Sequence, residues 1–262
     1  MKKITIFVAT MLCAALVFPS ASWAEIRFGV AAESYPPFTA KDSSGKWIGW
    51  EIDLMQALCA KLAEKCSVVD VAWEGIIPSL QAHKFDVILA SMAVTEKRRA
   101  VIEFSDVYYK STPQLLSGKT QAPYHTPADL AGKRVGVQTS SIHAMYAEKY
   151  FSGAGAKVKV YSKQDEVFAD LAAGRLDYAM ADALALDAFL QSESGACCVL
   201  SGAVAFDPEI FGPGVGLGLR KDDTDLKLRL NGALKALSAD GELAHITQAW
   251  HLTGKIIIAD QK

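Results

Sequence analysis

Cysteine and histidine are scarce in this chain, with five of each, and neither is spaced to hold a metal. His83, His125 and His143 are scattered, and no cysteine pair has a histidine or second pair at the interval of a zinc site. No metal and no cofactor are therefore expected. An excess of either charge is also missing, with 27 Lys and Arg against 29 Asp and Glu. Without a basic stripe, nucleic acid is excluded as the partner. Signatures of catalysis are absent too: there is no G-x-S-x-G elbow, no H-E-x-x-H helix and no phosphate-cradling loop. The glycine-rich run Gly212 to Gly218 (GPGVGLG) lacks the Lys-Ser/Thr of such a loop and suits a close crossing of two chain segments.

Long apolar runs are lacking beyond the N-terminus, where Lys2 and Lys3 precede a mostly apolar stretch from Ile4 to Phe18. That stretch is shorter than the ~20 residues a membrane span needs. Ser22 and Ala24 place small residues at the two positions a signal peptidase reads. Residues 1–24 are expected to be a secretory leader, cut after Ala24. Bulky Met11 and Leu12 before Cys13 argue against a lipid-anchoring cysteine. Removing 24 of the 262 residues leaves 238, and losing both leader lysines takes the formal charge from −2 to −4. The expected product is soluble and exported, with room for one large or two medium domains.

Four cysteines remain in an oxidising compartment. Cys59 and Cys66 are expected to pair. A continuous helix would set them about 10.5 Å apart along its axis, too far to bridge, so the helix must end near Glu64 and Lys65. Such a short closure stabilises by roughly 2.5 kcal/mol. Cys197 and Cys198 are expected as two thiols, with a vicinal ring as the alternative.

Strand and helix patterns alternate along the chain. Ile26 to Ala31, Val68 to Val71, Phe85 to Ala90, Arg134 to Gln138, Val158 to Tyr161 and 176–181 read as strands. Helices are expected over 51–63, from Ser141 through Tyr150, and over 164–173, 183–190, 223–238 and 242–251. A weak internal repeat runs through this pattern. LQAHKFD (80–86) resembles LAAGRLD (171–177), and IRFGV (26–30) resembles KRVGV (133–137). Two similar α/β lobes follow, each ending its strands where ligands bind in open parallel sheets.

Eleven residues on from each repeat's leucine stand Ser91 and Asp182. Ser91, Met92 and Ala93 are small or flexible residues after a strand, and Thr95 reads as the N-cap of a helix start carrying Arg98. This combination grips a carboxylate, but it equally describes a buried strand and a solvated basic turn. Asp182 can accept from an ammonium group or cap helix 183–190. Ser141, with the amides of Ile142 and His143, offers donors to an anion or simple capping. Tyr35 and Trp73 can lid a ligand side chain or pack in the core. Glu33 and Glu51 can read a cation or stay solvated.

The chain resembles the periplasmic solute-binding proteins for polar amino acids, family 3 of bacterial substrate-binding proteins. Within that family it is most similar to the lysine/arginine/ornithine, histidine and opine binders. The motifs are YPPF (35–38), GWEIDL (49–54), the Cys59/Cys66 spacing, IIPSL (76–80), ILASMAVTEKR (88–98), GKRVGV (132–137), AGRLDYAMAD (173–182) and GLRKDD (218–223). They span the chain after residue 24, in the family's order.

The resemblance implies the type II periplasmic binding protein fold, two Rossmann-like α/β lobes joined by two crossover strands. The expected division is 25–112 and 209–262 for lobe one and 113–208 for lobe two. It implies that Arg98, beside Ser91, holds the α-carboxylate of a free amino acid. Asp182 takes the α-ammonium, Tyr35 and Trp73 sandwich the side chain, and Ser141-Ile142 add donors from lobe two. The chain would then be a monomeric, non-enzymatic binding component that delivers its ligand to an inner-membrane ABC permease. Departures bear on the ligand. Ala90 and Ala93 replace frequent serines, Ile142 replaces a threonine, and the interval from Gly29 to Tyr35 is one residue longer, leaving the role of Glu33 open. Gln138 and His143 add polarity. A basic or polar amino acid or an opine-like conjugate is expected. The alternatives are a dehydratase-like enzyme on the same scaffold, with Glu33 or His143 as acid or base, and a soluble sensor component.

Overall fold

The computed structural model describes residues 25–259, so the expected leader lies outside the described residues. Two five-stranded sheets are built to one plan. The first runs Cys66–Val71, Ile26–Ala31, Val87–Ile88, Gly218–Leu219, Glu103–Phe104. Its first three strands are parallel, and the fourth is antiparallel to both neighbours. The second runs Lys157–Tyr161, Arg134–Gln138, Tyr178–Asp182, Pro113–Gly118, Cys198–Ala203, again with three parallel strands and an antiparallel fourth. In each sheet the fourth strand is the first to form after the chain has crossed from the other.

The repeat legible in the sequence has a physical basis. Arg27 donates its backbone N–H and Nε to Asp86 Oδ2 and Nη2 to Oδ1. Arg134 makes the same three bonds to Asp177. Each guanidinium also reaches the carbonyl at the left-handed turn before the third strand, His83 in one sheet and Gly174 in the other. One step along, Gly29 and Gly136 lie flat against Phe85 and Leu176, where any Cβ would collide. Arginine, glycine and aspartate therefore recur because each sheet fastens its first strand to its third in the same way.

The centre of each sheet is covered on two faces, so a central strand such as Tyr178–Asp182 is buried at every position rather than at alternate ones. In Tyr178–Asp182, Tyr178 and Met180 join the core with Tyr146, Phe151 and Phe211. Ala179 and Ala181 face Val167, Leu171 and Phe189. In the first lobe the helices Trp50–Leu62, Thr224–Ala239 and Glu242–Ala249 cover one face. Ile76, Leu80, Phe85 and Ile88 fill the other.

The helix from Trp50 ends at Leu62 with Ala63 left-handed (φ 53°). That stop turns the chain back so that Cys59 and Cys66 join, with Cα atoms 6.2 Å apart. Cys197 and Cys198 correct the expectation of two thiols, because they form a vicinal disulfide. They straddle the junction between the 3₁₀ turn Glu193–Cys197 and the strand Cys198–Ala203. An extended pair would point to opposite faces, and the turn brings the two sulfurs together. The helix after Ser141 is α-helical only over Ile142–Tyr146 and widens to a π-helix over Ala147–Ser152. Among the described residues no helix is long and apolar enough to cross a membrane.

Between the sheets the chain crosses twice, and the returning glycine-rich run makes close backbone contacts. Gly212 (φ 65°) sits against the Val94 carbonyl, and Gly214 sits against Tyr109. Val215 bridges both Ala93 and Tyr109.

Candidate functional site

A cavity lies between the lobes, at the C-terminal ends of the three parallel strands of each sheet. This is where open α/β sheets leave a crevice. After Ile26–Ala31 come Glu33, Ser34 and Tyr35; after Cys66–Val71 comes Trp73; after Val87–Ile88 come Ala90, Ser91, Ala93 and Arg98. Lobe two answers with Gln138 at the end of Arg134–Gln138 and Ser141, Ile142 and His143 just after it. Gln164 follows Lys157–Tyr161, and Asp182 closes Tyr178–Asp182.

Arg98 is set by a short helix, Glu96–Arg99, whose N-cap Thr95 accepts from the Arg98 backbone N–H at 3.2 Å. Its Nη1 donates to the Ala93 carbonyl (2.8 Å) and its Nη2 crosses to the Ser140 carbonyl (3.1 Å). Two of five N–H donors are thus spent on aiming the guanidinium, which also lies 5.4 Å from the Trp73 ring centre. Burial lowers its pKa to about 10, partly offset by the Asp182 charge, and it remains cationic at neutral pH. Asp182 occupies the N-cap position of Ala183–Leu190 but caps nothing with its carboxylate. Instead Oδ2 accepts from the Tyr35 hydroxyl at 2.8 Å, and Oδ1 lies 3.7 Å from His143 Nε2. Burial outweighs that carboxylate and holds the His143 pKa below its ordinary value, so the imidazole is neutral at pH 7.

Three bonds cross the cavity: Tyr35 to Asp182, Arg98 to Ser140, and Trp73 Nε1 to the Thr139 carbonyl at 2.9 Å. The lobes are closed on one another. Ser141 is a true cap, accepting from Ala144 N–H at 3.0 Å while donating to the Gln138 carbonyl. The Glu33 carboxylate accepts from the Trp73 backbone N–H at 3.3 Å.

Two expected site residues lie elsewhere. Met92 turns into the core with Ile76, Leu80 and Ile102 and does not line the cavity. Glu51 is wholly buried behind it, accepting from Ser91 N–H, Ser91 Oγ and the Tyr108 hydroxyl. It holds Ser91 in a left-handed conformation (φ 49°) rather than facing the cleft. Burial raises the Glu51 pKa to about 7, against the opposing hydrogen bonds from Tyr108 and Ser91. The folded chain therefore retains a proton that the unfolded chain releases, and this contribution to stability fades as pH rises from about 4.5 to 7. Glu51→Gln keeps the shape without the charge. In urea unfolding at pH 5 and 7.5, wild type should lose about 2 kcal/mol relative to the variant as pH rises. Parallel pH profiles would overturn this account.

Gln164 was not anticipated from the sequence. The repeat held the signal, because Gln164 follows the second parallel strand of lobe two as Trp73 follows that of lobe one.

Residues 26–253 match the description Bacterial extracellular solute-binding proteins, family 3. The chain belongs to that family. It is 39% identical over 217 residues to the lysine/arginine/ornithine-binding periplasmic protein of Escherichia coli, covering 82% of this chain and 83% of that protein. It is 36% identical over 248 residues to the L-arginine-binding protein of Pseudomonas aeruginosa, covering 94% and 95%. Among solved structures, an ancestral arginine-binding protein bound to arginine aligns with a TM-score of 0.81 at 32% identity. That alignment covers 87% of this chain and 99% of the other. As a family 3 solute-binding protein, the chain has the two-lobe type II fold, with its two sheets as the lobes and the cavity as the cleft between them.

Proposed function

We propose that the chain is the periplasmic substrate-binding component of an ABC transporter for amino acids, with a basic or polar amino acid or an opine-like conjugate as ligand. The observation that carries this reading is the placement of cationic Arg98 on one wall of the cavity and carboxylate Asp182 on the other. A zwitterion satisfies both at once. Its α-carboxylate pairs with the free face of Arg98 and the amides at Ser141-Ile142, and its α-ammonium with Asp182 beside Ser91. Tyr35 and Trp73 then flank the side chain. Once the α-groups are paired, Glu33 is left on the lobe-one wall to meet a cationic side chain. A ligand that bridges both walls favours the closed state by its differential affinity, and the closed monomer docks on an inner-membrane permease. Location in the periplasm follows from the expected leader ending at Ala24.

The relatives' names describe binding rather than turnover. Isothermal calorimetry across the amino acids and opines tests the proposal. One-to-one binding, with the ligand recovered unchanged, is expected. Chemical conversion of the ligand, or failure to bind any α-amino acid, would overturn it.

A further inference from the structure

Gln164 is the first residue of the helix Gln164–Ala172 and is only 2% exposed, yet neither Nε2 nor Oε1 has a hydrogen-bond partner. It lines the cavity. His143 Nε2, 4% exposed and also without a hydrogen bond, differs in lying 3.7 Å from the Asp182 carboxylate. Burying an unpaired amide is unfavourable, and native structures keep few such groups without a reason. The neighbouring amide does not share this property, because Gln138 donates to the Ser162 carbonyl at 3.3 Å.

We propose that Gln164 forms a lobe-two subsite that hydrogen-bonds the planar nitrogen-bearing terminus of the ligand side chain, a guanidinium or ureido group. This deepens the amino-acid-binding reading and rests on it. The chemistry follows from the groups on the walls. A carboxamide presents an acceptor and donors in one plane, so it pairs edge to edge with another planar group and far less well with a tetrahedral ammonium. The indole of Trp73 lines the same cavity, and a planar terminus stacks on an aromatic face. Glu33 supplies the negative charge that a guanidinium would need and a ureido group would not.

Gln164→Leu removes both polar atoms at nearly constant volume. By calorimetry, arginine and citrulline should each lose at least about tenfold in affinity. Ornithine and norleucine, which lack the planar terminus, should change by less than about threefold. Gln164→Glu should restore arginine binding but not citrulline binding. The melting temperature of unliganded Gln164→Leu should not fall, since the amide holds no internal bond. Equal losses for all four ligands, no loss for any, or a lowered unliganded melting temperature would each overturn the proposal. Failure of the broader reading looks different, because wild type would then bind none of the four.

Discussion

Arg98→Ala should weaken amino-acid binding at least about 100-fold. Truncating one partner of a buried, hydrogen-bonded charge pair costs about 2–5 kcal/mol, much of it from the charge left behind. Here the loss is compounded. The ligand carboxylate would sit unpaired in a closed cavity that still contains Asp182, and the bond from Nη2 to Ser140 that helps hold the lobes together would go as well. Arg98→Lys should recover part of the affinity, because it restores a charge but not the planar fork. Calorimetry with a ligand identified on wild type decides the matter. Affinity of Arg98→Ala within tenfold of wild type would remove the carboxylate role from this residue.

Gly212→Ala should be the most damaging small substitution outside the cleft. Gly212 has φ 65° and ψ −167°, a region essentially reserved for glycine, and an added Cβ would overlap the Val94 carbonyl. Backbone cannot move aside there, because Val94 N–H donates to the Gly214 carbonyl at 2.8 Å in the same crossing. A cost of about 3 kcal/mol should lower the melting temperature by about 6–12 °C. Gly232, inside the helix Thr224–Ala239 with open space around it, is the control. Its replacement by alanine should leave stability unchanged or slightly higher. Equal melting temperatures for the two variants would show that the crossing tolerates a side chain.

Much of the fold was legible because the two lobes repeat one solution. The Arg27–Asp86 and Arg134–Asp177 forks leave the same short sequence traces in both copies, and central strands buried on both faces read clearly. The meeting of Ser91 and Asp182 at one cavity was legible for the same reason, since they stand at matching places in the two copies. What escaped depended on rotamers and depth rather than on residue type. Nothing in GWEIDL says that Glu51 turns inward to Ser91 and Tyr108 while its neighbour Asp53 bonds the indole of Trp250. Nor does Met92, one residue from Ser91, announce that it faces the core. Gln164 reads as an ordinary polar helix start until both its amide atoms are found buried and unpaired. Cys197 and Cys198 needed a turn-to-strand junction that their neighbours do not spell out.

The order in which strands enter the two sheets bears on how the chain acquires its shape as it emerges N-terminus first. The second sheet draws all five strands from one unbroken stretch, residues 113–203. It can be complete while residues beyond 203 are still to come. The first sheet has three of its strands ready by residue 88, yet its fourth, Gly218–Leu219, arrives only after the whole second sheet has passed. Until then Val87–Ile88 and Glu103–Phe104 have no strand between them, and the helices over 224–249 that cover that lobe are also missing. The lobe that begins first therefore finishes last, and it spends its synthesis as an open-edged half-sheet of the sort that folding assistants recognise.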